Sequence, residues 1–426
     1  MSHLKLKYKI NSQKAIIGIV GLGYVGIPLM KNFLVKNFKI IGIDNSLKKV
    51  NLLKKGINPI NNKKEIFYKK KPFFSSNYKF LKNADIIIIC LPTPLNKDKS
   101  PDMSYINNCR KSLFKYLKPN QLLILESTTY PGTTNELFYE KLKKKFKFGE
   151  NFFLGYSPER EDPGNQIFKL SNTVKLVSGK TDNCLKLTHT LYNKIVKKLY
   201  KVENLETAEM TKLFENVFRS VNIGLVNEMK ILCDKMNLDV NQIINAAKTK
   251  KFGFMPFYPG PGLGGHCIPI DPHILTWKAK KYGVETKFIN LSAKINSDMP
   301  NFVLKKLLND IKKNYIKNKD IKVFILGAAY KKNIRDSRES PSIEFIKLLL
   351  NKKINFIFND PYISSLIINQ KKFYSYEVNK RNLKKCNYTI LITDHDVYDY
   401  RFIYSNSKKI VDCRNKFKRD EKIISA

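Results

Sequence analysis

The sequence predicts an α/β protein with two doubly wound parallel-sheet domains joined by a long central helix. Short β-branched apolar runs alternate with amphipathic segments over the first 200 residues. A long helical period follows from about Leu205 to Met236, and the α/β alternation returns after Pro300. At 426 residues the chain is too long for one ordinary core. We expect an N-terminal domain over 1–204, a central helical domain over 205–300 and a C-terminal domain over 301–426.

The first domain has the pattern of a parallel sheet whose strands are connected by helices. Helices are predicted over Ile27–Asn37 and Asp102–Leu117. Strands are predicted at Ala15–Val20, Lys39–Ile43, Asp85–Cys90 and Gln121–Leu125, and near Phe152 and Val174. In the central helix, one side carries a recurring apolar set that suits a connection between domains or a dimer surface, namely Ala208, Leu213, Val217, Val221 and Leu225.

The C-terminal domain repeats the α/β pattern without a full glycine motif. Its predicted strands are Ile321–Leu326, Ile354–Phe358, Asn387–Ile392 and Lys408–Asp412. Only one glycine, Gly327, follows the first of these strands, so we do not assign the dinucleotide site to this domain. Ligands of such sheets bind beyond the carboxyl ends of the strands, where basic side chains follow the first and last of them, namely Lys331, Lys332, Arg338 and Arg414.

Composition excludes several classes of protein. No apolar run approaches the roughly 18 to 20 residues of a membrane helix, and residues 1–14 lack the apolar stretch of a secretory signal. The seven cysteines are scattered without a CxxC pair, which favours reduced thiols in the cytoplasm and no metal site. The net charge of +42 suggests nucleic acid, but the excess is dispersed lysine, as AT-rich coding bias produces. We therefore expect neither nucleic acid nor membrane as a partner.

A dinucleotide motif follows the first strand. Gly21-Leu-Gly23-Tyr-Val-Gly26 lies between a β-branched strand and a helical segment, the context that gives this motif its specificity. Gly21 permits the tight turn, Gly23 lets the backbone approach the pyrophosphate, and Gly26 packs helix on strand, with Tyr24 and Val25 beside the cofactor. Asp44 ends the next strand, and an acid there binds the ribose and repels a 2′-phosphate. The sequence predicts a Rossmann-like site for NAD rather than NADP.

Further polar residues end the next two strands. Thr93 follows one strand in Leu91-Pro-Thr-Pro94, and Thr128 follows the other in Glu126-Ser-Thr128. Both are expected to border the cofactor crevice, where a hydroxyl can contact the nicotinamide ribose or the reacting alcohol, although each could equally be a plain strand-end turn.

A second glycine-rich loop, Pro259-Gly-Pro-Gly-Leu-Gly-Gly-His-Cys267, carries a thiol, and Asp271 follows four residues later. Glycines let the backbone adopt conformations closed to other residues and let a ligand approach closely. A thiol that can hold an acyl group, together with a cofactor that accepts hydride, predicts oxidation past the aldehyde to a carboxylate. His266 also suggests a Cys-His dyad, although adjacent side chains commonly diverge.

These motifs resemble the UDP-glucose/GDP-mannose dehydrogenase family over nearly the whole chain and in family order. They are Gly21–Gly26, Leu91–Pro94, Ser157-Pro-Glu159, Glu209-Met-Thr-Lys212-Leu-Phe-Glu-Asn216, Gly264-Gly-His-Cys267, Arg338-Glu-Ser340 and Asp412-Cys-Arg414. Within the family, the segments Ser157–Asn165 and Phe254–Gly262 look most similar to bacterial UDP-N-acetylglucosamine 6-dehydrogenases.

The resemblance implies roles for individual residues. Cys267 matches the nucleophile that captures the aldehyde, and Lys212 and Asn216, four apart on a helix, match groups that stabilise the alkoxide. Glu159 and Asp271 match carboxylates that serve proton transfer, without distinguishing the base for the alcohol from the one that activates water. Arg338 matches a position that reaches the cofactor, and Lys331 and Arg414 match positions that contact the nucleotide sugar. Tyr258 and Gly262, in the loop before Cys267, are candidates to cradle the UDP-sugar, together with Glu159, Lys212 and Asn216.

The chain departs from the family pattern twice. Arg160-Glu-Asp-Pro163 replaces the commoner apolar pair after Ser-Pro-Glu and bears on which sugar is held. The segment Lys248–Lys251 lacks the arginine that relatives often send across a dimer interface, although the resemblance implies a homodimer or higher homo-oligomer.

We expect an NAD-dependent UDP-sugar 6-dehydrogenase, with UDP-N-acetylglucosamine as substrate and its uronic acid used for surface polysaccharide such as lipopolysaccharide O-antigen. The alternative sugars are UDP-glucose, UDP-N-acetylgalactosamine and UDP-N-acetylmannosamine. Two other classes stay open at this point. A single-step β-hydroxyacid dehydrogenase would release one NADH per substrate, and a noncatalytic basic protein would bind duplex nucleic acid in a salt-sensitive way.

Overall fold

A computed structural model describes residues 2–64, 71–160, 172–313 and 320–426. The chain divides into two compact units, here named the N-terminal unit (residues 1–215 with 280–282) and the C-terminal unit (216–279 with 283–426). The 31-residue helix α7, Leu205–Lys235, contains the division between them. The predicted fold class is confirmed, since each unit holds a parallel Rossmann-like sheet and a long central helix joins them.

The N-terminal sheet has eight strands in the order β3-β2-β1-β4-β5-β6-β7-β8. All neighbouring strands are parallel except β6 and β7, which are antiparallel. The strands are β1 Ile16–Val20, β2 Lys39–Ile43, β3 Phe73–Ser75, β4 Ile86–Ile89, β5 Leu122–Leu125, β6 Phe153–Tyr156, β7 Lys175–Gly179 and β8 Leu199–Lys201. The runs that form β4 and β5, Ile-Ile-Ile-Ile and Leu-Leu-Ile-Leu, are buried throughout, as central parallel strands require.

Helices cover both faces of this sheet and bury two apolar clusters against it. They are α1 Ser2–Asn11, α2 Gly26–Val35, α3 Leu47–Lys54, α4 Ser104–Phe114, α5 Glu140–Leu142 and α6 Asp182–Tyr192, with a 3₁₀ turn at Tyr78–Asn83 and a π turn at Asn135–Tyr139. Helix α1 was not predicted, because its two buried residues, Leu6 and Ile10, are too few to give a periodic signal. They pack in the same cluster as residues of α6.

Helix α7 begins at the predicted residue, and the predicted apolar set divides between the core and the surface. Ala208, Leu213 and Val217 are buried, whereas Leu225 is 55% exposed. Polar residues occupy buried positions further along the helix, namely Asn227 and Lys230. The buried side of the second half therefore combines these hydrogen-bonding groups with the apolar Cys233, and a search for apolar periodicity does not detect such a mixture.

The C-terminal sheet has five parallel strands in the order β10-β9-β13-β14-β15. Its strands are β9 Lys322–Leu326, β10 Asn355–Asn359, β13 Tyr388–Leu391, β14 Lys409–Asp412 and β15 Ile423–Ser425, with a separate hairpin of β11 Ser365–Ile368 and β12 Lys371–Tyr374. The helices are α8 Val240–Ala247, α9 Asp271–Lys280, α10 Lys287–Lys313, α11 Pro341–Asn351, α12 Lys380–Lys385 and α13 Tyr400–Asn406. Strand β15 and the hairpin were not predicted.

The proposed division of the chain into three domains stays a prediction, and Pro300, where one boundary was placed, lies inside α10.

In the part of the chain described, no helix is long and apolar enough to cross a membrane.

Candidate active site

The glycine motif forms the turn between β1 and α2, as predicted. Gly21 has φ +93°, and a Cβ there would lie 2.5 Å from the carbonyl oxygen of Cys90. A Cβ on Gly26 would collide with the carbonyl of Gly21, whereas one on Gly23 would meet no atom within 4 Å. Gly23 thus faces open space, while Gly21 and Gly26 are required by close packing. This cradle fits the pyrophosphate of a dinucleotide.

The residues between and beyond the glycines complete this turn. Tyr24 is 39% exposed, and Val25 is the residue before the first turn of α2. Asp44 lies directly after β2, where its carboxylate accepts hydrogen bonds from the backbone N–H groups of Leu22 (2.9 Å) and Ser46 (2.9 Å). This acid is therefore fixed beside the glycine turn, where the residues present fit NAD.

Thr93 and Thr128 lie together at the carboxyl ends of β4 and β5. The buried Thr93 hydroxyl donates a hydrogen bond to the backbone carbonyl of Thr128 at 2.6 Å. Nearby, the Ser127 hydroxyl accepts from the backbone N–H of Leu91 at 2.9 Å. The two strand-end turns are thus joined at the sheet edge where the glycine turn also lies.

Helix α7 is anchored to the segment after β5 by Glu209. This buried carboxylate accepts hydrogen bonds from the N–H and hydroxyl of Thr134, at 2.8 and 2.6 Å, and from the N–H of Gly132 at 2.5 Å. Burial raises the pKa of Glu209 to about 7. Lys212, one turn later, is 7% exposed, and Asn216 follows one further turn along. The predicted lysine and asparagine therefore share one buried side of α7.

Cys267 is exposed, whereas the other six cysteines, all within the described ranges, are buried. It lies in the glycine-rich loop just before α9, and its carbonyl accepts from the backbone N–H of Asp271 at 2.9 Å. The buried Asp271 carboxylate accepts a short 2.5 Å hydrogen bond from the Asn216 amide. The structure thus brings Asn216 and Asp271 together and fixes both relative to the backbone that carries the thiol.

The loop before Cys267 is packed against the segment after β9. A Cβ on Gly264 would lie 2.5 Å from the Tyr330 Cβ, and one on Gly265 would lie 2.7 Å from the Tyr330 ring. The N–H of Gly265 also donates to the carbonyl of Arg338 at 3.0 Å. The glycines therefore permit a contact that any side chain would block.

Arg338, the predicted cofactor residue of the C-terminal unit, is paired with Asp336. Its guanidinium donates to both carboxylate oxygens at 2.6 to 3.0 Å. Burial and the nearby Arg338 lower the pKa of His266, which favours its neutral form. The Cys-His dyad stays a prediction.

Two of the predicted substrate residues, Tyr258 and Arg414, line one cleft of about 330 Å³ in the C-terminal unit. The Tyr258 hydroxyl donates to Asn245 at 2.9 Å, and Arg414 Nε donates to the carbonyl of Ile392 at 2.7 Å. Gly262 has φ +132°, and Lys331 lies in the loop after β9. Lys230, buried and hydrogen-bonded to Ser425 at 2.7 Å, also lines the cleft and was not predicted.

Two buried asparagines hold the backbone segment that precedes Gly262, and they were also missed. Asn227 accepts from the N–H of Gly260 at 3.0 Å and donates to Asn296 at 2.8 Å. Asn296 in turn donates to the carbonyl of Ser220 at 2.8 Å. An isolated asparagine in a helix gives no sequence signal of such a role.

Part of the loop expected to select the sugar, Glu161–Asn165, lies outside the described residues. Within the described ranges, no group of three or more His, Cys, Asp and Glu side chains could hold a metal ion.

The fold and these residues define an NAD-dependent dehydrogenase with a cysteine thiol and a second Rossmann-like sheet. Domain models of the UDP-glucose/GDP-mannose dehydrogenase family match three segments: the NAD-binding domain at residues 15–196, the central domain at 206–298 and the UDP-binding domain at 324–419. The chain belongs to the UDP-glucose/GDP-mannose dehydrogenase family. It is an NAD-dependent UDP-sugar dehydrogenase.

Individual relatives differ in the sugar that their names give. The chain is 32% identical to Protein CapL of Staphylococcus aureus, covering 96% of this chain and 98% of that protein. It is 33% identical to a UDP-N-acetyl-D-glucosamine 6-dehydrogenase of Pseudomonas aeruginosa, covering 82% and 83%. Among solved structures, the UDP-D-ManNAc dehydrogenase of Pyrococcus horikoshii is similar with a TM-score of 0.86 and 28% identity, covering 96% and 99%.

Proposed function

We propose that this enzyme oxidises the C6 hydroxyl of UDP-N-acetylglucosamine to the carboxylate, releasing two NADH per sugar. The observation that carries the proposal is Cys267, an exposed thiol in a glycine-rich loop, on a chain that also has the NAD-binding turn. A dehydrogenase that stops at the aldehyde or ketone needs no such nucleophile.

The glycine turn of the N-terminal unit, with Gly21, Gly23 and Gly26, would hold the pyrophosphate of NAD, and Asp44 its ribose. Tyr24, Val25, Thr93, Thr128 and Arg338 are the further proposed cofactor contacts. When bound, NAD supplies the hydride acceptor for both oxidations.

The chain's own residues supply proton transfer, charge stabilisation and covalent capture. Lys212 and Asn216 stabilise the negative charge that develops on the substrate oxygen when the hydroxyl loses its proton. The Cys267 thiolate adds to the aldehyde carbon to form a thiohemiacetal, which becomes a thioester when a second hydride leaves. One water then cleaves the C–S bond, giving the carboxylate and returning the thiol.

Two carboxylates serve these proton transfers. Asp271 is held by the Asn216 amide close to the backbone of the thiol, and Glu159 follows β6 in the N-terminal unit. A carboxylate acts as a base when it lies within hydrogen-bond reach of the proton or water that it serves. We propose that these two carboxylates together deprotonate the alcohol and activate the hydrolytic water. Neither role is assigned to one of them.

Binding of the UDP moiety is proposed for the C-terminal unit. Tyr258 and Arg414 line its cleft, and Lys331 and Gly262 are the further proposed contacts. Guanidinium and ammonium groups suit a diphosphate, because charge-assisted hydrogen bonds to its oxygens are strong.

The choice of sugar is supported by the name of the Pseudomonas aeruginosa relative and by the Ser157–Glu159 and Phe254–Gly262 segments. UDP-N-acetylmannosamine is the second candidate, because the name of the similar Pyrococcus horikoshii enzyme contains that sugar. UDP-glucose and UDP-N-acetylgalactosamine complete the set to be compared. A cytoplasmic location and use of the product in surface polysaccharide stay predictions.

A homodimer or higher homo-oligomer is proposed from the exposed apolar side of α7. Phe214, Phe218, Leu225 and Leu232 recur at intervals of four and seven residues and are 41 to 61% exposed. Such a stripe on one helix suits a second copy of the chain. A monomer by light scattering that keeps full activity would contradict this proposal.

The test measures NADH formed per mole of UDP-sugar consumed, for each of the four sugars, with the parent enzyme and Cys267→Ser. Cys386→Ser is the matched control, because this thiol is buried in the core of the C-terminal unit. We expect two NADH per UDP-N-acetylglucosamine from the parent and the control. Cys267→Ser is expected to form no uronic acid.

Each other outcome has a definite meaning. A higher kcat/KM on UDP-N-acetylmannosamine would keep the chemistry and change the substrate. One NADH per sugar from the parent would contradict the four-electron reaction and favour a single-step dehydrogenase.

A further inference from the structure

A fully buried lysine lies between two glutamates in the N-terminal unit. Lys175 Nζ is 2.5 Å from a carboxylate oxygen of Glu126 and 3.6 Å from one of Glu159. It also donates a hydrogen bond to the carbonyl of Pro158 at 3.2 Å. The Lys175 side chain is 2% exposed, that of Glu126 is 0% and that of Glu159 is 16%. The ammonium is thus enclosed, and Glu159 is the member of the cluster that reaches the surface.

The sheet topology explains why these three side chains meet. Strands β5 and β6 are parallel, and Glu126 and Glu159 follow their carboxyl ends. Strand β7 is antiparallel to β6 and starts at Lys175. The first residue of β7 therefore lies at the same sheet edge as the last residues of β5 and β6. The single reversed strand pair of this sheet delivers a lysine to the edge where ligands bind.

Among the described residues, Lys175 is the cation of this cluster, and burial raises the pKa of Glu126 although Lys175 opposes that shift. Burial lowers the pKa of Lys175, but Glu126 and Glu159 outweigh it and raise that pKa overall, so the ammonium stays protonated. Burial raises the pKa of the neighbouring Cys90 thiol, which lies 3.4 Å from Glu126, and that of the Tyr192 hydroxyl. Both neighbours are neutral. In the part of the chain that the structure describes, Lys175 lies between the two glutamates as their common cation.

Arg160, the next residue after Glu159, is directed elsewhere. Its guanidinium donates to Glu215 at 2.6 and 3.2 Å and to the carbonyl of Val174 at 2.6 Å. Its backbone N–H donates to Glu159 at 2.7 Å. Glu159 is therefore fixed through one oxygen by the backbone, and its other oxygen faces Lys175.

A buried ion cluster of this kind is costly, since desolvation of each charge opposes the attraction between them. A structural role alone could be met by apolar side chains of similar volume. We propose that Lys175 is a positioning residue for the dehydrogenase reaction, holding the Glu159 carboxylate in place while Glu126 holds Lys175 from the other side. The inference rests on the proposed proton-transfer role of Glu159.

The test compares Lys175→Met, Lys175→Arg and the double variant Lys175→Met/Glu126→Gln with the parent. Lys175→Met leaves the buried Glu126 carboxylate without its cation, which can destabilise the fold. The double variant also replaces that carboxylate by a neutral amide, so we expect it to stay folded. Lys201→Met is the matched control, because this lysine ends the neighbouring strand β8 and is exposed. Steady-state kcat and KM are measured on the UDP-sugar that the parent oxidises, in H₂O and in D₂O.

We expect kcat of Lys175→Met and of the double variant to fall about 100-fold, the size of a lost proton-transfer contribution, with KM changed less than about threefold. The solvent isotope effect on kcat should rise in both, because proton transfer becomes slower relative to the other steps. A mere loss of folded enzyme would lower kcat without changing the isotope effect. Lys175→Arg, which keeps the charge, should recover at least about a tenth of the parent kcat.

If the parent is active and the kcat of the double variant lies within twofold of the parent value, the proposed role of Lys175 is overturned. The proposed function of the enzyme is then unaffected. A parent that oxidises no UDP-sugar would overturn the proposed function, and with it this role.

Discussion

Replacement of Gly265 by alanine tests the close packing in front of the thiol. Gly265 has φ +83°, and an added Cβ would lie 2.7 and 2.8 Å from two ring atoms of Tyr330. The left-handed backbone costs an alanine about 1 to 2 kcal/mol, and displacement of the ring adds about 1 to 3 kcal/mol. Gly265→Ala should therefore lower the free energy of unfolding by about 2 to 5 kcal/mol.

Gly283→Ala provides the matched control in the same unit. Its φ is +72°, but a Cβ there meets no atom within 4 Å. Only the backbone cost of about 1 to 2 kcal/mol applies. Trp277, the only tryptophan in the chain, lies in α9 shortly after the loop, so its fluorescence in urea reports unfolding of this unit. With a urea slope of about 2 kcal/mol per M, the two variants should differ in midpoint by about 0.5 to 1.5 M.

The steric explanation is checked with Tyr330→Ala. In that background, Gly265→Ala should cost no more than Gly283→Ala does, because the colliding ring is gone. Equal midpoints for Gly265→Ala and Gly283→Ala in the parent background would refute the reasoning. So would an undiminished cost of Gly265→Ala after the ring has been removed.

Three further predictions concern single residues. The pKa of Glu209 is raised from 4.5 to about 7, so folding disfavours its ionisation, and stability should fall by up to about 3 kcal/mol as pH rises from about 4.5 to 7. Glu209→Gln should flatten this slope in urea unfolding at several pH values, and an unchanged slope would contradict it. Asp44→Ser should raise the ratio of kcat/KM for NADP to that for NAD by at least about tenfold, since the repelling carboxylate is gone; an unchanged ratio would argue against the assigned ribose contact. Asn227→Ala should lower stability by about 1 to 3 kcal/mol, measured by Trp277 fluorescence, because Gly260 and Asn296 lose a buried partner. A loss below about 0.5 kcal/mol would contradict that estimate.

The sequence was sufficient where a function depends on residues that are close along the chain. The glycine turn between β1 and α2 needs only a strand, three glycines and a helix in order, and Gly21 and Gly26 prove to be required by packing. The Cys267 loop was likewise recognisable from its glycines. In both cases the backbone conformation is determined locally, so the residue types reveal it.

The sequence was insufficient where a site depends on long-range contacts. Lys175 is 49 residues from Glu126 and 16 from Glu159, and only the reversed direction of β7 brings them together. Tyr330 contacts the Cys267 loop from a different part of the C-terminal unit. Leu225 belongs to the apolar set predicted on one side of α7, in which Ala208 and Leu213 are buried but Leu225 is 55% exposed. Periodicity identifies a helix but does not reveal which of its sides meets a neighbour.

The distribution of the cysteines allows the number of chains with an intact Cys267 thiol to be measured. Since six thiols are buried and Cys267 is exposed, a small alkylating reagent added to the folded protein should modify one sulfur per chain. The amount of reagent incorporated would then equal the concentration of chains with an intact Cys267 thiol. Turnover numbers could be referred to that concentration rather than to total protein, and oxidative inactivation of a preparation would be read directly from the missing fraction.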